Sequence, residues 1–214
     1  MLLDLLLPRR CVVCGDGGAV LCGACAASLP ELRPPLCARC GAPTAWPVVR
    51  CRECAGRRLA FRSARAAVPY DETVRRFVRR WKEQGLRSLA VAAADVVAAR
   101  VTRPGVDLVT WVPAEPWRAR TRGHHPTERL ARELAERWGL PCRPLLLRRG
   151  PALRQRGLSR SQRQRNPAFS AFETGLCAAL VDDVYTTGAT ANAAARALGG
   201  RVDVVTLART VRRA

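Results

Sequence analysis

The sequence predicts an α/β protein in which a cysteine-rich N-terminal segment, residues 1–58, precedes a parallel β-sheet domain, residues 59–214. Three observations support this prediction. Four C-x-x-C pairs occur before residue 55, and beyond residue 58 short apolar strands alternate with segments of helical length. The strands are apolar nearly throughout, which is typical of parallel strands that are covered by helices on both faces.

The N-terminal segment contains eight of the ten cysteines, arranged as four closely spaced pairs: Cys11/Cys14, Cys22/Cys25, Cys37/Cys40 and Cys51/Cys54. Two intervening residues allow both sulfurs of a pair to reach one ion, and two pairs complete a tetrahedral four-thiolate site. A disulfide framework is the alternative, but the chain begins without an export signal. We therefore predict two structural Zn²⁺ sites. Sequential ligation of the pairs is favoured over an interleaved cross-brace, which the spacing leaves open.

The charge of the chain is strongly positive, at +20, and comes almost entirely from arginine, since Lys82 is the only lysine. Residues 1–58 contribute +4, which eight thiolates and two Zn²⁺ would cancel, so +16 belongs to residues 59–214. A basic protein attracts polyanions such as nucleic acid or a phosphorylated small molecule. The longest apolar stretch, MLLDLLLP, is too short to span a bilayer, so we expect a cytoplasmic protein without membrane insertion.

The first half of the sheet domain opens with a strand at residues 63–70 and an amphipathic helix at residues 71–85, for which Gly85 is the expected stop. Residues 88–101 form an alanine- and valine-rich helix, and residues 107–113 form a buried strand that ends at a proline. The apolar face of the first helix consists of Val74, Phe77, Val78 and Trp81.

The middle of the domain combines a helix, a short strand and a basic loop. The helix covers residues 126–139, with Pro126 in its first turn and Gly139 past its end. Residues 141–149 hold a short strand. Residues 148–166 contain seven arginines and no acid, and their lack of apolar periodicity predicts a mobile basic loop.

The last predicted elements are a buried strand at residues 177–184, a helix at residues 188–200 and a strand at residues 201–210. Ligands of parallel α/β sheets bind at the carboxyl ends of the strands. Asp182 and Asp183 lie at such an end, so they are candidate ligand-binding residues.

The segment between this acidic pair and the next helix indicates a phosphate site. Its backbone N–H groups and threonine hydroxyls at a helix N-terminus form an anion cradle, and Gly188 allows close approach of the backbone. The carboxylates would lie one sugar length away and could accept hydrogen bonds from two vicinal hydroxyls. The stretch therefore suits a ribose 5-phosphate. The predicted phosphate-binding residues are Thr186, Thr187, Gly188, Ala189 and Thr190.

The stretch ALVDDVYTTGAT, residues 179–190, resembles the phosphoribosyl pyrophosphate (PRPP) signature of type I phosphoribosyltransferases. The ordered set of motifs along the chain resembles the ComF family of competence-associated proteins. The set includes LLDLLLP, the cysteine pairs, RRWKEQG, WVPAEPWRARTRG and the PRPP signature. This resemblance implies a type I phosphoribosyltransferase fold joined to an N-terminal double zinc ribbon, with PRPP as ligand and Mg²⁺ arriving with it.

The resemblance also implies roles for individual residues. Asp182, Asp183, Lys82 and Arg163 would act in catalysis, although Lys82 could equally be one more charge on a solvated helix face. The turn after an early strand would bind the pyrophosphate through Arg118, Arg120, Arg122 and Gly123. The basic loop would close over the reacting sugar and exclude water.

The family's association with DNA uptake implies further partners, namely single-stranded DNA and competence or DNA-processing proteins. Nucleotide salvage linked to DNA uptake is the other role that the resemblance implies. The alternative function is that of a non-catalytic, zinc-ribbon accessory protein that binds single-stranded DNA and retains the fold. The low aromatic content, 5%, counts against a dedicated single-strand binder because few side chains could stack on bases. The acceptor substrate is not indicated by any motif.

Overall fold

The computed structural model describes residues 9–83, 88–115, 125–149 and 168–211. The helices are α1 (Gly23–Ser28), α2 (Glu72–Glu83), α3 (Leu89–Arg100), α4 (Pro126–Trp138) and α5 (Ala189–Leu198). The strands are β1 (Ser63–Pro69), β2 (Leu108–Trp111), β3 (Leu146–Arg149), β4 (Ala168–Ala171), β5 (Cys177–Tyr185) and β6 (Arg201–Arg209).

The main sheet has four strands in the order β1-β6-β5-β2, and each neighbouring pair is parallel. The central strands β5 and β6 are the longest, and their interior residues are almost completely buried. Helices cover the sheet from both sides, as nearly continuous apolar strands require. The predicted α/β class with a parallel sheet is therefore confirmed.

Two apolar clusters form the core on the two sides of this sheet. One contains the buried faces of α2, α3 and α4, including Trp81, Val97 and Leu134. The other contains α5, Phe61 and three buried cysteines of the N-terminal segment. Because those cysteines belong to the second cluster, the N-terminal segment forms part of the core of the sheet domain.

The predicted elements agree with the structure where apolar periodicity was strong. Val74, Phe77, Val78 and Trp81 are all buried on α2, as predicted. Gly139 closes α4 in the left-handed region, with φ of 63°. The short strand predicted within residues 141–149 is β3, whereas its antiparallel partner β4 and the short helix α1 add to what the sequence predicted.

Within these described ranges, no helix is long and apolar enough to cross a lipid bilayer.

Candidate functional site

A polar cleft lies at the carboxyl end of β2, where β5 continues past its neighbour. Trp111, the last residue of β2, pairs with Val181, and the next N–H, from Val112, donates to the carbonyl oxygen of Val181. Pro113 follows and has no N–H to continue the ladder. The rest of β5, residues 182–185, therefore has an open edge on this side.

The cleft beside this edge has a volume of about 430 Å³. The loop after β2, the start of α4, the end of α2 and the end of β5 contribute side chains to it. Its polar lining residues are Tyr70, Lys82, Glu115, Thr127, Arg148, Asp182, Asp183, Thr186 and Thr190. The chain thus brings together at one place the acidic pair, the only lysine and two threonines of the predicted phosphate loop.

The acidic pair is held by backbone contacts and by the lysine. Lys82 Nζ, at the end of α2, forms an ion pair with Asp183 Oδ2. The N–H of Asp183 donates to Asp182 Oδ1 at 2.9 Å, and the N–H of Val184 donates to Asp183 Oδ1 at 2.6 Å. These contacts fix the orientation of both carboxylates toward the cleft.

The pKa of Asp182 is raised to about 7. Burial of the carboxyl is the largest cause, and the negative charge of Asp183 acts in the same direction. The charges of Lys82 and Arg148 lower the pKa but do not offset this. Asp182 is therefore poised to change its charge close to neutral pH.

The loop that joins β5 to α5 presents an exposed face at the helix N-terminus. Thr186 and Thr187 are exposed, and Gly188 adopts the left-handed conformation with φ of 72° before α5 begins at Ala189. The first N–H groups of a helix have no intrahelical acceptor and can bind an anion, although here the N–H of Ala189 already donates to Thr187 Oγ1 at 3.4 Å. The assignment of this loop as a phosphate site stays a prediction.

The side of the loop that faces the protein is tightly packed. A methyl group at Gly188 would collide with the ring and hydroxyl of Tyr185. Tyr185 is buried, and its hydroxyl has no hydrogen-bond partner among the described residues. Burial raises the pKa of this hydroxyl to about 12, so it remains protonated as a donor.

Arg148 and Glu115 line the cleft although the sequence did not single them out. Arg148 Nη2, on β3, donates to Glu115 Oε1 at 3.2 Å, and its guanidinium lies 5.5 Å from the ring centroid of Phe169. Arg148 carries no sequence signal, because it is one arginine in a run of them. Glu115 could have been noticed as an acid in the turn that follows the early strand.

Other predicted site residues lie outside the described residues. These are the pyrophosphate-binding candidates Arg118, Arg120, Arg122 and Gly123, and the basic-loop candidate Arg163. Their assignments stay predictions.

The eight paired cysteines form two separate clusters, each of four sulfurs that lie within 4.8 Å of one another. The first cluster contains Cys11, Cys14, Cys22 and Cys25, and the second contains Cys37, Cys40, Cys51 and Cys54. The first two pairs thus share one site and the last two share the other. The prediction of sequential ligation is confirmed.

The sulfur separations fit a tetrahedral zinc site. The Sγ–Sγ distances are 3.8 Å for Cys14–Cys22 and 3.7 Å for Cys37–Cys54. Four sulfurs at about 2.3 Å from one Zn²⁺ would lie about 3.8 Å apart. Both clusters therefore suit structural Zn²⁺, since all four positions are taken by protein ligands.

Residues 2–55 match the family model of the double zinc ribbon domain. The N-terminal segment is a double zinc ribbon. No curated protein matches the chain significantly. The match ends before the sheet domain begins, so it says nothing about the cleft.

The two modules of the double zinc ribbon differ in exposure. In the first module, Cys14 is exposed and Cys22 is half-buried. In the second, three of the four ligands are fully or almost fully buried, and Cys51 is half-buried. The second module therefore has the better-shielded metal site.

Each module of the double zinc ribbon is attached to a different part of the sheet domain. In the first module, the carbonyl oxygen of Leu29 accepts a hydrogen bond of 3.1 Å from Arg100 at the end of α3. The second module covers the edge strand β1, where the N–H of Ala64 donates to the carbonyl oxygen of Arg39 at 2.9 Å. Covering an edge strand in this way prevents its pairing with another chain.

Proposed function

We propose that the cleft binds PRPP and that the protein is a PRPP-binding protein of the phosphoribosyltransferase type. One observation carries the proposal: an acidic pair and the N-terminal loop of a helix line the same cleft. Carboxylates are acceptors for vicinal sugar hydroxyls, and a helix N-terminus is a donor set for a phosphate. A ribose 5-phosphate carries vicinal hydroxyls at one end of the sugar and a phosphate at the other, so it matches both sets of residues.

The proposed arrangement assigns each end of the ligand to residues of this chain. Residues 186–190 hold the terminal phosphate through backbone N–H groups and threonine hydroxyls. Asp182 and Asp183 accept hydrogen bonds from the ribose hydroxyls, and Lys82 orients Asp183 through their ion pair. The volume of about 430 Å³ lies within the range of small-molecule sites, about 300–1,000 Å³.

The leaving pyrophosphate needs positive charge. Mg²⁺ carried by the ligand would supply part of it, since this ion is bound mainly through phosphate oxygens and water. Arg148 lies in the described part of the cleft, where its guanidinium is paired with Glu115, so it would add positive charge only in part. Transfer from PRPP passes through a ribose with oxocarbenium character, so the chain contributes by positioning and by stabilising charge.

Titration calorimetry of PRPP with Mg²⁺ into the zinc-loaded protein tests this proposal. We expect micromolar binding in the wild type and at least a tenfold loss in Asp182→Asn/Asp183→Asn, because the neutral amides are poorer acceptors for the sugar hydroxyls. Asp107→Asn is the matched control, since Asp107 is exposed and lies away from the cleft. Failure of the wild type to bind PRPP would refute the proposal.

The second candidate function, a nucleic-acid-binding accessory protein, is supported by the +16 charge of residues 59–214. Fluorescence anisotropy with a labelled single-stranded oligonucleotide distinguishes the two. Affinity that falls steeply with salt and is unchanged in Asp183→Asn favours the accessory function. A role in DNA uptake or in nucleotide salvage rests on the resemblance to the ComF family.

A further inference from the structure

The segment that directly follows the second zinc module contacts the proposed phosphate loop and the helix after it. Arg57, which follows the last zinc ligand by three residues, donates from Nη1 to the carbonyl oxygen of Thr187 at 2.6 Å. The N–H of Ala60 donates to Asn192 Oδ1, in the first turn of α5, at 2.6 Å. The chain after the second module is thus hydrogen-bonded to both the loop and the helix that follows it.

A second connection runs through the interior. Arg209, at the end of β6, is only 1% exposed and donates to the carbonyl oxygen of the zinc ligand Cys40 at 2.6 Å. It also donates to Glu53 Oε2, next to the ligand Cys54, at 2.8 Å. A buried guanidinium needs such partners, so its position depends on the folded module.

Arg209 also contacts Tyr185, the residue that packs against the loop at Gly188. Its guanidinium lies 5.4 Å from the ring centroid of Tyr185, and that ring leaves no room for a side chain at Gly188. Phe61 also packs against Tyr185, edge to face, with their ring centroids 6.2 Å apart. Contacts therefore run without a break from Cys40 through Arg209 and Tyr185 to Gly188.

We propose that the second zinc module positions the phosphate loop, with Arg57 and Arg209 as positioning residues. The inference rests on the proposed function, because it assigns these residues to the same PRPP site. A loop that is already ordered before binding loses less conformational entropy when the phosphate arrives. Through this smaller entropy cost, the zinc ribbon raises the affinity for the ligand without contacting it.

The test compares two adjacent arginines. Arg57→Ala removes the hydrogen bond to Thr187, whereas Arg58→Ala, at an exposed neighbour, is the matched control. Hydrogen exchange of peptides that cover residues 186–192 is measured without ligand, and PRPP affinity is measured by calorimetry. We expect faster exchange and about fivefold weaker binding in Arg57→Ala, the loss typical of one hydrogen bond, and neither effect in Arg58→Ala.

Two further variants separate positioning from general damage to the fold. Arg57→Lys keeps a donor and should restore most of the protection and affinity. Arg209→Lys keeps the positive charge but cannot donate to both the carbonyl oxygen of Cys40 and Glu53 Oε2, as the forked guanidinium does. It should therefore accelerate hydrogen exchange in the same peptides. Zinc content, measured for every variant, should remain at two equivalents.

Unchanged exchange in Arg57→Ala would overturn the inference, and so would faster exchange without weaker PRPP binding. If the wild type does not bind PRPP, the proposed function fails separately, and hydrogen exchange still decides whether the module orders the loop.

Discussion

At the scale of single residues, Asp182 makes stability depend on pH. A carboxyl group whose pKa is higher in the folded than in the unfolded chain binds its proton more tightly when folded. Because the folded pKa is about 7, Asp182 costs stability above pH 7, and that cost disappears as the pH falls toward the unfolded value of about 4. In the proposed function the same charge accepts hydrogen bonds from ribose hydroxyls, so the proposed function and stability would make opposite demands on this residue.

We predict that Asp182→Asn is more stable than the wild type at pH 8, by on the order of 1 kcal/mol, and that this advantage shrinks toward pH 5.5. The amide keeps the shape of the carboxyl group without its charge. Urea unfolding of both proteins across this pH range measures the difference in their free energies of unfolding. Protonation of the zinc thiolates affects both proteins equally, so it does not contribute to this difference. A constant difference across the range would contradict the raised pKa, and Asp107→Asn should show no difference.

Gly188 is the second residue with a definite energetic role. Its φ of 72° is strained for any other residue, and a methyl group would collide with Tyr185. We predict that Gly188→Ala lowers the free energy of unfolding by about 1–3 kcal/mol. Thermal or urea unfolding measures the loss. Gly56→Ala is the control because its φ is not left-handed and the added methyl meets no atom within 4 Å; an equal loss in both variants would refute this account.

At the scale of elements, the sequence predicted what depends on local pattern. The apolar face of α2, the glycine that ends α4 and the buried strand β5 all follow from periodicity and capping rules. The zinc sites follow from cysteine spacing. The acidic pair was found because Asp182 and Asp183 interrupt an otherwise apolar strand.

Elements without a local pattern could not be predicted in this way. Strand β4, Ala168–Ala171, has four residues and no alternation of buried and exposed positions. The partners of Arg57, Arg100 and Arg209 depend on contacts between distant parts of the chain. In a protein with this many arginines, residue type does not show which ones are structural.

Arg100 illustrates how one such arginine joins two elements. It lies at the end of α3 and donates to the carbonyl oxygens of Ala26, Leu29 and Pro30 at 2.9–3.2 Å. We predict that Arg100→Ala lowers the free energy of unfolding by about 1–3 kcal/mol, because these carbonyls lose a charged donor. Chemical unfolding measures this loss.

Arg103→Ala is the matched control for that prediction. Arg103 is exposed, lies three residues further along the chain, and makes no side-chain hydrogen bond to another described residue. Its removal should change stability by less than about 0.5 kcal/mol. Similar losses in the two variants would mean that charge alone, rather than the carbonyl contacts, explains the effect.

At the scale of the whole molecule, the double zinc ribbon is bound to the sheet domain at several separate places. The first module packs beside α3, and the second covers the edge strand β1 and reaches the loop before α5. The buried cysteines of the second module belong to the same apolar cluster as Phe61 and α5. The second site therefore joins one apolar cluster through its own ligands, whereas the first module reaches the other cluster through Val12 and Leu29 and leaves Cys14 exposed.

This difference predicts that the two zinc ions leave at different rates. Release of an ion requires a chelator to reach the sulfurs, and only the first site has an exposed ligand, Cys14. With a colorimetric chelator in excess, we expect one equivalent of Zn²⁺ to appear at least about tenfold faster than the other. The second equivalent should appear together with loss of the folded state, because a structural zinc site contributes about 10–16 kcal/mol to folding.

Two variants show which cysteine cluster gives rise to each phase of zinc release. Cys14→Ser should remove the fast phase and leave the slow one, because Cys14 ligates only in the first cluster. Arg209→Lys should accelerate only the slow phase, since Arg209 binds the carbonyl oxygen of Cys40 and does not contact the first module. Release of both ions in a single phase would show that the modules unfold together, so that their different burial has no kinetic consequence. If the variants assign the fast phase to the second cluster instead, the exposure of Cys14 does not control release, and the more labile ion belongs to the better-buried site.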